Sequence, residues 1–221
     1  MTFFVLAMLP LLIALGAWQL DRAALKKGYE ADYFDRMAET PLPIARADLD
    51  QAFARVAIQG WFDPDRYFLV DNQIHQGRPG YWVVGLFKTA AGQGWLVNRG
   101  WVAAPRLRET LPDVLVPAGR MALVGILWPD TGLVPLLAED PWSAQWPKRV
   151  QRLDIERMAA YFDGVAPVEV RLEPGQPGVA VPATLGHDFK ASMHEGYAAQ
   201  WFGLALVLTV GYLIFGYKRH D

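Results

Sequence analysis

The stretch SMHEGYAAQWFGLAL, Ser192 to Leu206, sets a histidine where a polar segment turns into an unbroken apolar one. If a helix begins a turn before the apolar run, His194, Tyr197 and Trp201 stand at i, i+3 and i+7. They then share one face, within about 10 Å along the axis. An imidazole above an aromatic wall at a membrane boundary suits an amphipathic planar ligand, whose iron takes a nitrogen donor and whose ring takes an apolar surface. The plainer alternative is an interfacial histidine that tolerates water and headgroups, and for an arbitrary protein that is the commoner case. His75, His187 and His220 have no comparable setting.

A second stripe lies near the other end of the chain. In LGAWQLDRAALKK, Trp18, Arg22 and Lys26 fall at i, i+4 and i+8, so indole, guanidinium and ammonium line one helix face. Interfacial anchoring explains Trp18 and Lys26 well and Gln19 and Arg22 less well, so contact with a ligand or partner stands beside it. If the two stripes face each other, a cation beside a His-bound porphyrin could neutralise its propionates.

Other motifs read more plainly. LVNRGWV ends a strand with Asn98-Arg99-Gly100-Trp101, which suggests a bend at Gly100 with Arg99 paired to an acid of the same domain. Asp71 and His75 could form an acid/base dyad, but a solvated hairpin turn accounts for them better because no nucleophile or oxyanion donor is near. The chain has no Gly-rich phosphate loop, no H-E-x-x-H and no nucleophile elbow. The absence of cysteine excludes disulfides, thiolate metal sites and covalently attached c-type haem. With a formal net charge of -2, the 221-residue chain offers no basic surface for nucleic acid.

The elements that must carry these residues begin with two apolar runs. From Thr2 to Leu20 the only strongly polar side chain is Gln19, and from Ala198 to Tyr217 there is no charge. Each run is close to the roughly 20 residues that cross a bilayer core. A signal peptide is the alternative for the first, but a basic start and a small-x-small cleavage site are missing. A buried core helix is the alternative for the second, set against apolar residues on every face and Tyr197, Trp201, Tyr212 and Tyr217 near its ends. Two spans put both termini on one side. Lys218 and Arg219 favour a cytoplasmic C-terminus, whereas Arg22, Lys26 and Lys27 favour a cytoplasmic middle, so charge leaves the topology open.

Between the spans the texture is that of strands. FARVAIQGWF, RYFLVDN, YWVVGLFKT, GWLVNRGWV, RMALVGILW and VEVRLEP are rich in β-branched and aromatic residues and are separated by Gly and Pro. LDIERMAAYF reads as one short helix with Asp154 as N-cap and Leu153 stapled against Met158. The expected architecture is an α+β membrane protein, two terminal transmembrane helices flanking a β-rich, mostly antiparallel domain with one short helix. Its divisions are 1–40, 41–185 and 186–221.

Read in order, LGAWQLDRAALK, GWF, GYWVV, WLVNRGWV and HEGYAAQWFGLAL resemble the Surfeit locus protein 1 family of cytochrome c oxidase assembly proteins, over nearly the whole chain. The resemblance implies a non-enzymatic assembly factor of the bacterial inner membrane, with both termini cytoplasmic and the central domain periplasmic. It implies haem a as a transiently bound cofactor and His194 as the ligand of its iron. Tyr197, Trp201, Trp18 and Arg22 are then the surrounding cofactor contacts, and Gln19, Arg99, Gly100 and Trp101 serve partners or the fold. The implied partners are cytochrome c oxidase subunit I, haem a synthase and the lipid bilayer. Two rival readings are a haem-independent scaffold, in which Arg99 and Trp101 carry the interface, and an anchored enzyme resting on Asp71 and His75. The chain departs from the family at Ser192-Met193-His194-Glu195, where Asn-Asn-His-Leu is common, and at Pro105, which comes later than usual. No basic residue precedes the first span, which puts the expected natural start upstream of Met1.

Overall fold

Alternation with a period of two organises the centre of the chain. In β2 (Arg55–His75), Val56, Ile58 and Phe62 are buried in one apolar cluster, while Phe68 and Val70 belong to another. β3 (Arg78–Thr89) and β4 (Gly94–Ala103) are buried on both faces, so Trp95 and Val97 join the first cluster and Leu96, between them, joins the second. This is the pattern expected where successive side chains point to opposite faces and both faces are covered.

The computed structural model describes residues 2–130, 132–133, 135–136, 138–179, 181–183 and 189–217. His187, Lys218, Arg219 and His220 lie outside the described residues. The remaining elements are α1 (Thr2–Met37), the two-residue β1 (Leu42–Pro43), β5 (Met121–Trp128), β6 (Lys148–Val150), α2 (Ile155–Ala159), β7 (Val165–Leu172) and α3 (Ala191–Tyr217). The chain forms two compact units. One joins Met1–Asp32 with Leu185–Asp221, and the other is Tyr33–Thr184.

In the second unit β2 pairs with β3, β3 with β4, β4 with β7, β7 with β5, and β5 again with β2, so the pairings close a ring of five strands. Closure leaves none of the five with an unpaired edge along its whole length. Each strand contributes to one interior cluster, through Val56, Ile58, Phe62, Phe87, Trp95, Val97, Leu123, Leu127, Val170 and Leu172. The sheet is mixed. β2–β3, β3–β4, β2–β5 and β5–β7 are antiparallel, whereas β4–β7, β1–β2 and β2–β6 are parallel. The antiparallel expectation therefore holds for the longest ladders and misses the parallel ones, because direction depends on how the long crossover after β4 returns, not on strand texture.

Two strands expected on either side of DPD are one. The 21-residue β2 runs through a register shift between Phe62 and Tyr67. Asp63 holds this bulge together, its Oδ1 accepting from the backbone N–H groups of Asp65 (3.2 Å) and Arg66 (3.1 Å). The short helix is shorter than expected. Asp154 caps it, accepting from Arg157 N at 3.1 Å, and Leu153 and Met158 share one apolar cluster. It ends at Ala159, after which Tyr161 stacks on Trp142 and Phe162 on Trp146. Buried Lys148 sits among these rings, 4.8 Å from the centroids of both Trp146 and Tyr161, and donates to the Ser143 carbonyl. The last turn of α1 belongs to this unit as well, with Tyr33 edge-on to Phe53 at 5.8 Å and Arg55 donating to the Glu39 carbonyl at 2.6 Å.

Candidate functional site in the helix pair

The first unit is built from two helices, each long and apolar enough to cross a membrane. Along α1 the less exposed positions recur every seven residues, Val5, Leu12 and Gln19 on one line and Leu9, Gly16 and Ala23 on the other. α3 repeats the same spacing with His194, Trp201 and Leu208 beside Ala198, Ala205 and Tyr212. A seven-residue period is that of two helices wound left-handedly around one seam. The absent side chain of Gly16 makes room for Phe202, since a Cβ there would stand 2.7 Å from the Phe202 ring. The helices run antiparallel, with Tyr212 Oη donating to Thr2 Oγ1 at 3.2 Å at one end and Lys27 Nζ reaching Glu195 Oε1 at 2.5 Å at the other.

Gln19 and His194 meet on that seam, Gln19 Oε1 lying 2.7 Å from His194 Nδ1. With the amide oxygen facing the ring, this contact is a hydrogen bond in the Nδ1–H tautomer, in which Nδ1 donates. No other hydrogen bond to this imidazole occurs among the described residues, so Nε2 has no protein partner there, and in the Nδ1–H tautomer it presents its lone pair. A metal-ligating histidine has this arrangement, one ring nitrogen held by an oxygen and the other presented to the metal. His194 could therefore hold a metal through Nε2.

The rest of the expected site is arranged differently. Trp201 shares the seam with His194, but Tyr197 stands on its flank with 48% of its surface exposed. Trp18 is 52% exposed and Arg22 is also exposed, so these two members of the Trp18/Arg22/Lys26 stripe do not face the His194 stripe; Gln19 does, and Lys26, half-buried, follows it on the same seven-residue line. The reason is rotational, because the packed seam repeats every seven residues and leaves Trp18 and Arg22 to one side of it. Trp18, next to Gln19, and Tyr197, three residues after His194, are thus exposed aromatic side chains. Arg22 has no ion pair among the described residues and remains available to a propionate.

Glu195, the acid beside the histidine, is engaged by Lys27. Neither the pair nor the seam was visible as a motif. A glutamine at a seam position of an apolar helix is the signal that points to the seam.

The NRGW segment lies in the second unit and is packed into it. Arg99 is only 3% exposed and pairs with carbonyl oxygens, not with the expected acid. Its Nε donates to Gly178 O at 3.2 Å, its Nη2 to Leu115 O, and its guanidinium lies 5.0 Å over Phe62. Burial lowers its pKa to about 10, against an opposing effect of Tyr67, so it is charged at neutral pH. The acid of this region serves Arg171 instead. Glu169 Oε1 accepts from Arg171 Nε (2.8 Å) and from Asn98 Nδ2 (2.7 Å), and Asn98 Oδ1 accepts from Gly100 N (2.9 Å). Gly100 makes the expected bend, with φ +91, and a Cβ there would stand 2.0 Å from the Val181 carbonyl. Trp101 Nε1 donates to Gln73 O at 2.9 Å, and its ring lies 5.2 Å from that of His75.

Asp71 and His75 do not form a dyad. Asp71 accepts from Asn72 N (2.7 Å) and Arg108 Nη2 (3.2 Å), and His75 packs on Trp101. In a cleft lined by Arg66, Lys88, Tyr161 and Asp163, both cations are engaged, since Asp63 binds Arg66 at 2.8 Å and Lys88 at 3.1 Å.

Comparison with known proteins agrees with the landmarks. The SURF1 family matches residues 6–206. A SURF1-like protein of Rickettsia conorii (strain ATCC VR-613 / Malish 7) is 25% identical over 96% of this chain and 90% of its own length. One from Rickettsia bellii (strain RML369-C) is 26% identical over 95% and 87%. A SURF1-like protein of Dictyostelium discoideum is 30% identical over 44% of this chain and 41% of its own length. With the match running from the first apolar helix, through the strand ring, to the histidine that opens the second, this chain belongs to the SURF1 family.

Proposed function

We propose that this chain is a non-enzymatic assembly factor for haem–copper cytochrome c oxidase, holding haem a at the outer membrane interface and assisting its insertion into subunit I. The observation that carries this reading is His194 with Nδ1 bound by Gln19 and Nε2 open, at the end of a lipid-length helix pair. Haem a is farnesylated and too apolar to travel through water, so a site at the bilayer edge lets its tail stay in lipid. A bound haem would bring the redox-active iron, and the protein's part is to hold it without using it. A single imidazole ligand suits release better than two. Arg22 is the available cation for a propionate, and Trp18 and Tyr197 are the open aromatic faces. Membership of the SURF1 family, which is linked to oxidase assembly, supports the same role.

In this reading both termini are cytoplasmic, the strand domain is periplasmic in the bacterial inner membrane, and haem a synthase is the donor. A haem-independent scaffold would need an interface, and the residues first considered for it, Arg99 and Trp101, are buried. The test is the reduced absorption spectrum of protein purified from cells that make haem a. Wild type should carry haem and His194→Ala should lose at least about tenfold of it. Equal haem in the two proteins, or none in wild type, would overturn the proposal.

A further inference from the structure

We infer that Gln19 is a positioning residue that selects the Nδ1–H tautomer of His194 and so turns Nε2 into the ligand nitrogen; this rests on the haem-binding reading above. Neutral histidine in water favours the opposite form, with the proton on Nε2, which would leave Nδ1 as the donor atom. Nδ1 sits closer to the backbone, so a large planar ring bound there would collide with the helix that carries the histidine. A device that reverses the preference is therefore needed, and the seam contains one. Gln19 Oε1 lies 2.7 Å from Nδ1, on the neighbouring helix and 175 residues away in sequence.

Three features make the contact a fixed one. Gln19 occupies the same seven-residue line as Val5 and Leu12, so its side chain is directed across the seam by helix packing. Ala23 and Ala198, four residues on from Gln19 and His194 respectively, are both buried in this helix pair. Eight residues beyond Gln19 on the same helix, Lys27 holds Glu195 at 2.5 Å, which draws the carboxylate next to His194 towards α1. In a low-dielectric seam a glutamine would be a costly choice unless its polar atoms were used.

The test is nitrogen NMR of the full chain, labelled with 15N-histidine, in detergent micelles without haem. Two-bond 15N–1H couplings identify the tautomer, and the spectrum of His194→Ala assigns the signal. At alkaline pH, where the ring is neutral, wild type and Gln19→Glu should show Nδ1–H, because the carboxylate is also an acceptor. Gln19→Met, of similar length and without a strong acceptor, should shift the population to Nε2–H. A wild-type ring in the Nε2–H form, or a Gln19→Met ring unchanged from wild type, overturns the inference. Titration with iron(III) protoporphyrin IX is the second readout. Gln19→Met should bind about 10–100-fold more weakly than wild type, with Gln19→Glu restoring most of the loss; equal affinity of Gln19→Met and wild type also overturns the inference. Failure of wild type to bind the porphyrin through His194 would sink the haem reading, while the couplings still report whether Gln19 sets the tautomer.

Discussion

The helix pair and the strand domain both place strong polar groups among apolar ones, but they finish the arrangement differently. In the domain, Asn98, Glu169 and Arg171 are all buried, and Glu169 and both polar ends of the Asn98 side chain are bonded within the same unit. Arg171 also lies over Trp128 at 3.8 Å and Trp82 at 4.9 Å. In the helix pair, Gln19 and His194 are partly exposed and one imidazole nitrogen is unused among the described residues. A closed network of this kind specifies a fold. An open valence beside exposed aromatic faces is what a binding site requires. The contrast separates the two family landmarks, WLVNRGWV as bracing and HEGYAAQW as the candidate site.

The sharpest way to break the comparison is to open the closed network. Glu169→Ala removes the carboxylate shared by Asn98 and Arg171 and should cost about 3–5 kcal/mol, as expected for breaking a buried pair. Denaturant unfolding of the full chain in detergent measures it, and a loss below about 1 kcal/mol would mean that the network is not structural. Haem content per folded molecule should be unchanged.

A smaller effect is expected at the bulge. Burial acts to raise the Asp63 pKa, but the hydrogen bonds from Arg66, Lys88 and the backbone N–H groups of Arg66 and Asp65 outweigh it and hold it at about 2. Because the folded value lies below the unfolded one, the stabilisation is complete above about pH 4 and is lost as pH falls towards 2. Its size is about 2 kcal/mol. The stability difference between wild type and Asp63→Asn should therefore close over that window; a difference that is constant with pH would assign the role to shape instead of charge.

The smallest effect belongs to the open region. Lys27 and Glu195 are both exposed, and their coupling in a double-mutant cycle of Lys27→Ala and Glu195→Ala should fall below about 1 kcal/mol. A coupling above about 2 kcal/mol would show that the helix pair is held by this ion pair and not by its apolar seam.

Much of the architecture was legible because it depends on local pattern. Apolar runs of span length, period-two strands, the Asp154 cap and the Gly100 bend each express a constraint that acts within a few residues. What was not legible depends on neighbours far along the chain. The two halves of β2 fuse because Asp63 folds its own bulge together and β3 pairs on both sides of it. Arg99 finds carbonyls at Leu115 and Gly178 because the acid that could serve it, Glu169, is across the sheet with Arg171.

By itself the sequence determined that a histidine stands where one apolar run begins, that another apolar run ends beside Gln19, and that a strand-rich segment joins them. Hydrophobic run length and side-chain periodicity suffice for that, since both act along a single stretch of chain. Only the tertiary structure decided which face of each helix meets the other. Rotation about a helix axis is set by packing along the whole seam, and here that packing sets Gln19 against His194 and leaves Trp18 and Arg22 outside.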